Sequence, residues 1–282
     1  MNLIKSVFIF LAPVWLAYVV YYGVNGILIS DNLVFYAGVI LSALPLLVFL
    51  AYIMLFQRLA RTNIHLLSVS VPSFMGYVVV LLLYLEKTTF IKMEGMMLSM
   101  SAFLMTFLYI YWYSDNRRNL SQLIINDSHL PTLNLKDENG ESMTSDAWLG
   151  KPTLIFFYRG NWCPLCMAQI SEVAQHYKKF EDKGIQVIFI APQSQNNTKK
   201  LAMKYNLGFK FYVDENNAAA KQLGLVHRFG LPMGFQALGY ASDSVYPTVV
   251  ATDENGLIIY NDQTTNYRVR PEPEELMNIF TS

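Results

Sequence analysis

The chain has 282 residues, enough for two domains, and balances 21 basic against 21 acidic side chains. With no net charge and no Lys/Arg-rich tract, nothing points to a nucleic-acid partner. At 53% apolar and only 15% charged residues it is too apolar for an ordinary soluble globule, and two cysteines are too few for a disulfide framework.

The apolar excess lies in the first two fifths. Charge-free stretches run from Ser6 to Ser30, Asn32 to Gln57, Thr62 to Leu85 and Gly95 to Ser114. Each is long enough to cross a hydrocarbon core of about 30 Å as a helix, so residues 1–113 are predicted to be a four-helix transmembrane domain in contact with the lipid bilayer. Three more spans follow the first without a small-residue cleavage site between, so the first is read as a retained helix, not a signal peptide. Tyr18, Tyr21 and Tyr22 in the first span, and Tyr109, Tyr111, Trp112 and Tyr113 in the fourth, suit an interfacial aromatic belt. Lys5, Arg58, Arg61, Arg117 and Arg118 flank the spans on one side and Lys87 and Lys92 on the other. The positive-inside rule then puts both termini in the cytoplasm, at an inner or plasma membrane. The spans hold no cysteine and no Asp, Glu, Lys or Arg, which closes thiol relay and ion paths through them.

Residues 114–126 are expected to be a juxtamembrane linker, with Leu120, Leu123, Ile124 and Ile125 suggesting a short amphipathic helix at the bilayer surface. The soluble domain is placed at 127–282. Leu133 and Leu135 alternate with polar neighbours before a turn at 137–140, an opening hairpin. Thr153 to Tyr158 and Ile185 to Ala191 are buried-strand runs, separated by a helix from Pro164 to about Lys183 that stops at Gly184. Helices near 198–206 and 217–223 and a strand at Phe209–Val213 follow, then a long loop. The hairpin 247–260 turns on Asp253-Glu254-Asn255-Gly256, and a helix from Glu272 to Phe280 closes the chain. Strands alternating with helices, then a hairpin and a helix, describe a thioredoxin-like α/β sheet.

The chemistry centres on Phe157-Tyr158-Arg159-Gly160-Asn161-Trp162-Cys163-Pro164-Leu165-Cys166, where both cysteines sit between a strand and a helix start. Unpaired N–H groups and the positive end of the helix dipole favour a thiolate there. Zinc needs four ligands, and only His129, His176 and His227 are at hand; haem attachment fails because residue 167 is Met. No metal and no cofactor is assigned. Tyr246-Pro247-Thr248 precedes the hairpin strand where thioredoxin-like folds place a cis proline against the dithiol, so a cis Tyr246–Pro247 bond is predicted.

Residues 129 to 281 resemble the alkyl hydroperoxide reductase and thiol-specific antioxidant family, the peroxiredoxin-like redoxins. The resemblance is carried by His129-Leu130-Pro131-Thr132-Leu133-Asn134-Leu135, the Arg-Gly-x-Trp-Cys-Pro-x-Cys core, Pro247 to Gly256, and Asn266 to Leu276. It implies a thioredoxin fold and reduction of peroxides or disulfides by cysteine, with a thiol reductant such as a thioredoxin-type protein. Typical members read Pro-x-x-x-Thr-x-x-Cys; without gaps, these positions fall on Arg159, Cys163 and Cys166. That puts Cys166 at the peroxide-attacking position, whereas thioredoxin logic makes Cys163 the attacker. The working scheme has Cys163 attack and Cys166 condense with the sulfenic acid. The family's later-strand arginine aligns with Pro247; of the arginines that could replace it, Arg159 is taken into the site and Arg270 is read as a structural ion-pair former. The expected site is Cys163, Cys166, Arg159, Trp162 and Pro247, in an oxidoreductase with a redox-active disulfide. A protein disulfide reductase without peroxidase activity and a redox sensor acting on a membrane partner are the alternatives.

Overall fold

The structure, a computed structural model, describes residues 2–30, 32–86 and 93–281. Lys87 and Lys92 of the far-side loop lie outside the described residues. The chain divides into two compact units: Ile4–Phe56 with Thr62–Asp115, and the chain from Asn116 onward with Gln57–Arg61 and the first residues up to Leu3.

The first unit is helical: α1 (Asn2–Ile29), α2 (Leu33–Phe56), α3 (Leu67–Leu85) and α4 (Met93–Leu108), the last continuing as a π-helical turn from Tyr109 to Tyr113. These are four helices long and apolar enough to cross a membrane. They are apolar on every side, and outward residues such as Leu28, Leu55 and Leu85 stay exposed, as in a helix whose solvent is hydrocarbon. Where α2 and α3 meet, the side chains are small. A Cβ added to Gly76 would lie 2.5 Å from the Ser42 backbone nitrogen. Ser73 Oγ donates to the Ser42 carbonyl at 2.6 Å and meets Thr106 Oγ1 at 3.2 Å, so the buried hydroxyls are paired between helices.

The second unit opens with the hairpin β1 (Asn134–Lys136) and β2 (Ser142–Thr144), then β3 (Thr153–Phe157), α5 (Pro164–Gln175), α6 (Tyr177–Asp182), β4 (Gln186–Ala191), α7 (Gln195–Lys204) and β5 (Lys210–Val213). After α8 (Ala218–Gln222), the bridge strands β6 (Val226–His227) and β7 (Ser244–Val245) precede β8 (Thr248–Thr252), β9 (Ile258–Asp262) and α9 (Pro273–Asn278). The sheet order is β2-β1-β5-β4-β3-β8-β9, with β5, β4 and β3 parallel and the remaining pairs antiparallel. This is a thioredoxin-like α/β fold. All five residues of β3 are buried, which is why that stretch shows no alternation in sequence. On one face Phe156, Phe189 and Phe211 stack at 4.9 and 5.1 Å. Ile155, Phe157, Ile188, Ile190 and Val250 alternate with them and join Leu133, Trp148 and Tyr212 in the core.

Three expectations are corrected. The segment after the fourth apolar helix forms no amphipathic helix: the Asn116 N–H bonds the Thr265 carbonyl, Gln263 bonds both the Ser121 N–H and the Ile124 carbonyl, and Ile124 is wholly buried. Tertiary partners take the backbone groups a helix would have used. The single helix expected up to Lys183 breaks at His176, whose Nδ1 donates to the Glu172 carbonyl at 2.9 Å and occupies the acceptor its own N–H would need. The Tyr246–Pro247 bond is trans; no cis bond occurs among the described residues. The Tyr246 carbonyl accepts from Thr248 Oγ1 at 3.0 Å, and the Pro247 carbonyl from Arg118 at 3.2 Å, as the chain enters β8.

Gly76→Val should drive a side chain into the α2 backbone and destabilise the helical unit by about 1–3 kcal/mol. Thermal unfolding in detergent would register this as a lower midpoint; an unchanged midpoint would mean that the helices do not approach here.

Candidate active site

The end of β3 and the start of α5 set the site. Cys163 is the N-cap of α5, with Pro164 in the first turn, where its missing N–H costs nothing. Its sulfur accepts the Cys166 N–H at 3.4 Å, filling one of the helix's open donors. The turn before it requires Gly160, at φ +129, because a Cβ there would sit 2.9 Å from Trp162 Cδ1. Gln193 fixes the same turn, accepting the Asn161 N–H at 2.9 Å and donating to Tyr158 Oη and Asn161 Oδ1, each at 3.0 Å.

Both cysteines are free thiols and each is only 1% exposed. Water therefore does not stabilise a thiolate here, and placed donors must. Burial pushes the Cys166 thiol up, but the Cys163 hydrogen bond, the Arg270 charge, and the Arg159 N–H and charge outweigh it and bring it down to about 5. Burial pushes Cys163 well up, and its hydrogen bond to Cys166 and the charge on Cys166 add to this against the pull of Arg270 and Arg159. The pair is thus polarised in one sense: Cys166 is the thiolate and Cys163 the thiol that donates to it.

Arg270 Nη2 lies 3.5 Å from Cys166 Sγ, Nη1 donates to Gln169 Oε1 at 2.7 Å and Nε to the Tyr267 carbonyl at 3.2 Å. It is 6% exposed, so it is part of the site and not the peripheral ion-pair former expected. Burial works against its charge, but the neighbouring thiolate raises its pKa. Gln169 is also buried, and its Nε2 has no hydrogen-bond partner among the described residues.

The expected site residues divide. Arg159 reaches Cys166 through its backbone N–H, while its side chain donates to the Gly230 carbonyl and lies 4.6 Å from the Trp162 ring and 5.7 Å from that of Tyr267. Trp162 covers Arg159 and meets Phe235 edge-on at 6.1 Å. Pro247 lines a small cavity with Gln169, Thr248, Asp262 and Arg270. Arg118 stands behind it, bonding the Pro247 carbonyl and Thr248 Oγ1 and lying over the Tyr246 ring at 5.0 Å. Burial lowers Arg118 to about 10. Among the described residues, no group of three or more His, Cys, Asp or Glu side chains is placed to hold a metal.

Residues 127–261 match the model of the AhpC/TSA family. The chain is 29% identical over 136 residues to the chloroplastic peroxiredoxin Q of Populus jackii, covering 47% of this chain and 58% of that protein. Against the chloroplastic peroxiredoxin Q of Arabidopsis thaliana it is 31% identical over 136 residues, covering 47% and 57%. The chain thus spans somewhat over half the length of these curated relatives. Among solved structures it is similar to the peroxidoxin BcpB of Mycobacterium tuberculosis, with a TM-score of 0.47 and 14% identity, covering 58% of this chain and 97% of that one.

Removing the Arg270 charge should raise the Cys166 thiol. Site-resolved alkylation against pH should give a midpoint near 5 in the native protein. In Arg270→Met it should lie higher by about one unit or more. An unmoved midpoint would remove Arg270 from the site.

Proposed function

Because residues 127–261 match the AhpC/TSA family model, we propose that the chain is a membrane-anchored, thiol-dependent peroxidase of peroxiredoxin type. The observation that carries this reading is the setting of the buried Cys166 sulfur, 3.5 Å from Arg270 Nη2, where the Arg270 charge, the Arg159 N–H and the Cys163 thiol all favour a thiolate. Cys166 attacks the terminal oxygen of a hydroperoxide. The S–O bond forms as the O–O bond breaks, and the departing alkoxide or hydroxide takes a proton and leaves as alcohol or water. Arg270 faces the negative charge both before and during the step, so it also stabilises the developing oxyanion. Cys163 sulfur then attacks the sulfenic sulfur; the S–S bond forms, the S–O bond breaks, and the hydroxyl leaves as water with the Cys163 proton. A thioredoxin-type dithiol returns two electrons and two protons by exchange.

This order of attack reverses the one expected from thioredoxin chemistry and agrees with the gapless alignment onto the family motif. The reason is local: Cys163 donates its hydrogen bond to Cys166 and so keeps its proton. Residues 1–113 serve as the anchor, and the basic residues beside the spans favour a cytoplasmic redox domain.

In stopped-flow measurements Cys166→Ser should react with peroxide no faster than free cysteine. Cys163→Ser should form one equivalent of sulfenic acid, trapped by dimedone at Cys166, and then stop turning over. Labelling of Cys163 in the Cys166→Ser protein would restore the opposite order, and no rate above free cysteine in the native chain would leave a disulfide reductase.

A C-terminal epitope should be cut by external protease in inverted vesicles and protected in right-side-out vesicles. The reverse pattern would place the dithiol on the other face.

A further inference from the structure

We infer that Arg61, in the stretch Gln57–Arg61 between α2 and α3, is a positioning residue of the dithiol site, setting the reach of Arg270 to Cys166. This rests on Cys166 being the reacting thiolate. Gln57–Arg61 follows an apolar helix in sequence yet belongs to the same compact unit as the sheet. The Arg61 guanidinium meets the Glu172 carboxylate with both terminal nitrogens, Nη1 at 3.1 Å from Oε1 and Nη2 on Oε2. Its Nε donates to the Arg270 carbonyl at 3.1 Å and Nη2 to the Pro271 carbonyl at 3.2 Å. Glu272 approaches at 3.8 Å.

Glu172 is on α5, the helix that carries Cys166 and Gln169. The side chain of Arg270 grips that helix at Cys166 and Gln169, and Arg61 ties the Arg270 backbone to the same helix at Glu172. The separation between the Arg270 backbone and α5 is therefore fixed at three points. The Arg270–Cys166 contact is already 3.5 Å, so a further displacement of about 1 Å ends it as a hydrogen bond. Arginine suits the task because its fork can face a carboxylate with two nitrogens and still direct Nε at a carbonyl; lysine offers a single point. The Arg61 and Glu172 side chains are 23% and 31% exposed. A pair this open contributes little to stability by itself, and its consequence is geometric.

The test uses the full-length protein in detergent, reading the pH midpoint of Cys166 alkylation together with the thermal unfolding midpoint. Arg61→Met should raise the alkylation midpoint by about one unit and lower the rate with hydrogen peroxide below that midpoint about tenfold, at a temperature where the variant is fully folded. Arg61→Lys should fall between native and Arg61→Met. Glu172→Gln should shift the midpoint in the same direction, and the double variant Arg61→Met/Glu172→Gln should shift it no further than Arg61→Met, since both break one link. A native midpoint in folded Arg61→Met, with Arg270→Met shifted, overturns the inference. If Arg61→Met does not fold, Glu172→Gln decides by the same criterion. Because the midpoint is read by alkylation, a thiolate that fails to reduce peroxide would sink the proposed function and leave this result to stand or fall alone.

Discussion

A negative sulfur enclosed away from water is the constraint around which the second unit is arranged. With Cys166 1% exposed, the free energy lost by removing its hydration has to be supplied by fixed donors, and each of them fixes something else in turn. The Arg159 N–H is available only because the chain turns sharply at Gly160, which Gln193 holds from α7's side of the loop. The Cys163 thiol is available because its own sulfur caps α5. Arg270 brings full positive charge, and its second nitrogen is satisfied by Gln169 one turn further along the same helix. Such a site is costly to leave half-built, since a missing donor leaves an unpaired charge in the interior.

The fold was largely legible in the residues. Buried strands without alternation, a proline at a helix start, glycine stops and an Asp-Glu-Asn-Gly turn are local signals, and they led to the sheet that is observed. The failures share a physical cause. The segment 114–127 has the apolar spacing of a surface helix, but partners such as Gln263 and Thr265, far along the chain, claim its backbone groups. The break at His176 depends on which carbonyl an imidazole finds. In the site, the dithiol was visible because its chemistry is encoded in a short motif, but its direction was not. Arg159 is close in sequence and was preferred, yet it acts on Cys166 partly through its backbone. Arg270 lies 104 positions away, and nothing near it in sequence announces a thiolate.

Charge counting is incomplete for a related reason. Arg61 and Arg118 flank apolar spans, and for membrane insertion they count simply as positive residues. In the folded unit each has a second role. Arg61 ties α5 to the Arg270 backbone, and Arg118 holds the Pro247 carbonyl and Thr248 where β8 begins. Composition can count such residues but cannot distinguish a solvated cation from one whose terminal nitrogens are directed at chosen acceptors, because that depends on contacts across more than a hundred residues.

Asp262 completes the electrostatics. It lines the small cavity beside Arg270, and burial raises its carboxyl to about 6 against the pull of Arg270 and Arg118. A carboxyl whose folded pKa lies above its unfolded value binds its proton more readily when folded. Its contribution to stability is therefore full below the unfolded pKa and lost as pH rises through about 6. Cys166 runs the other way, contributing above the ordinary thiol range and losing that contribution as pH falls through about 5. Both Asp262 and the Cys166 thiolate bear on the Arg270 charge, so protonating Asp262 removes a competitor of the thiolate for that charge.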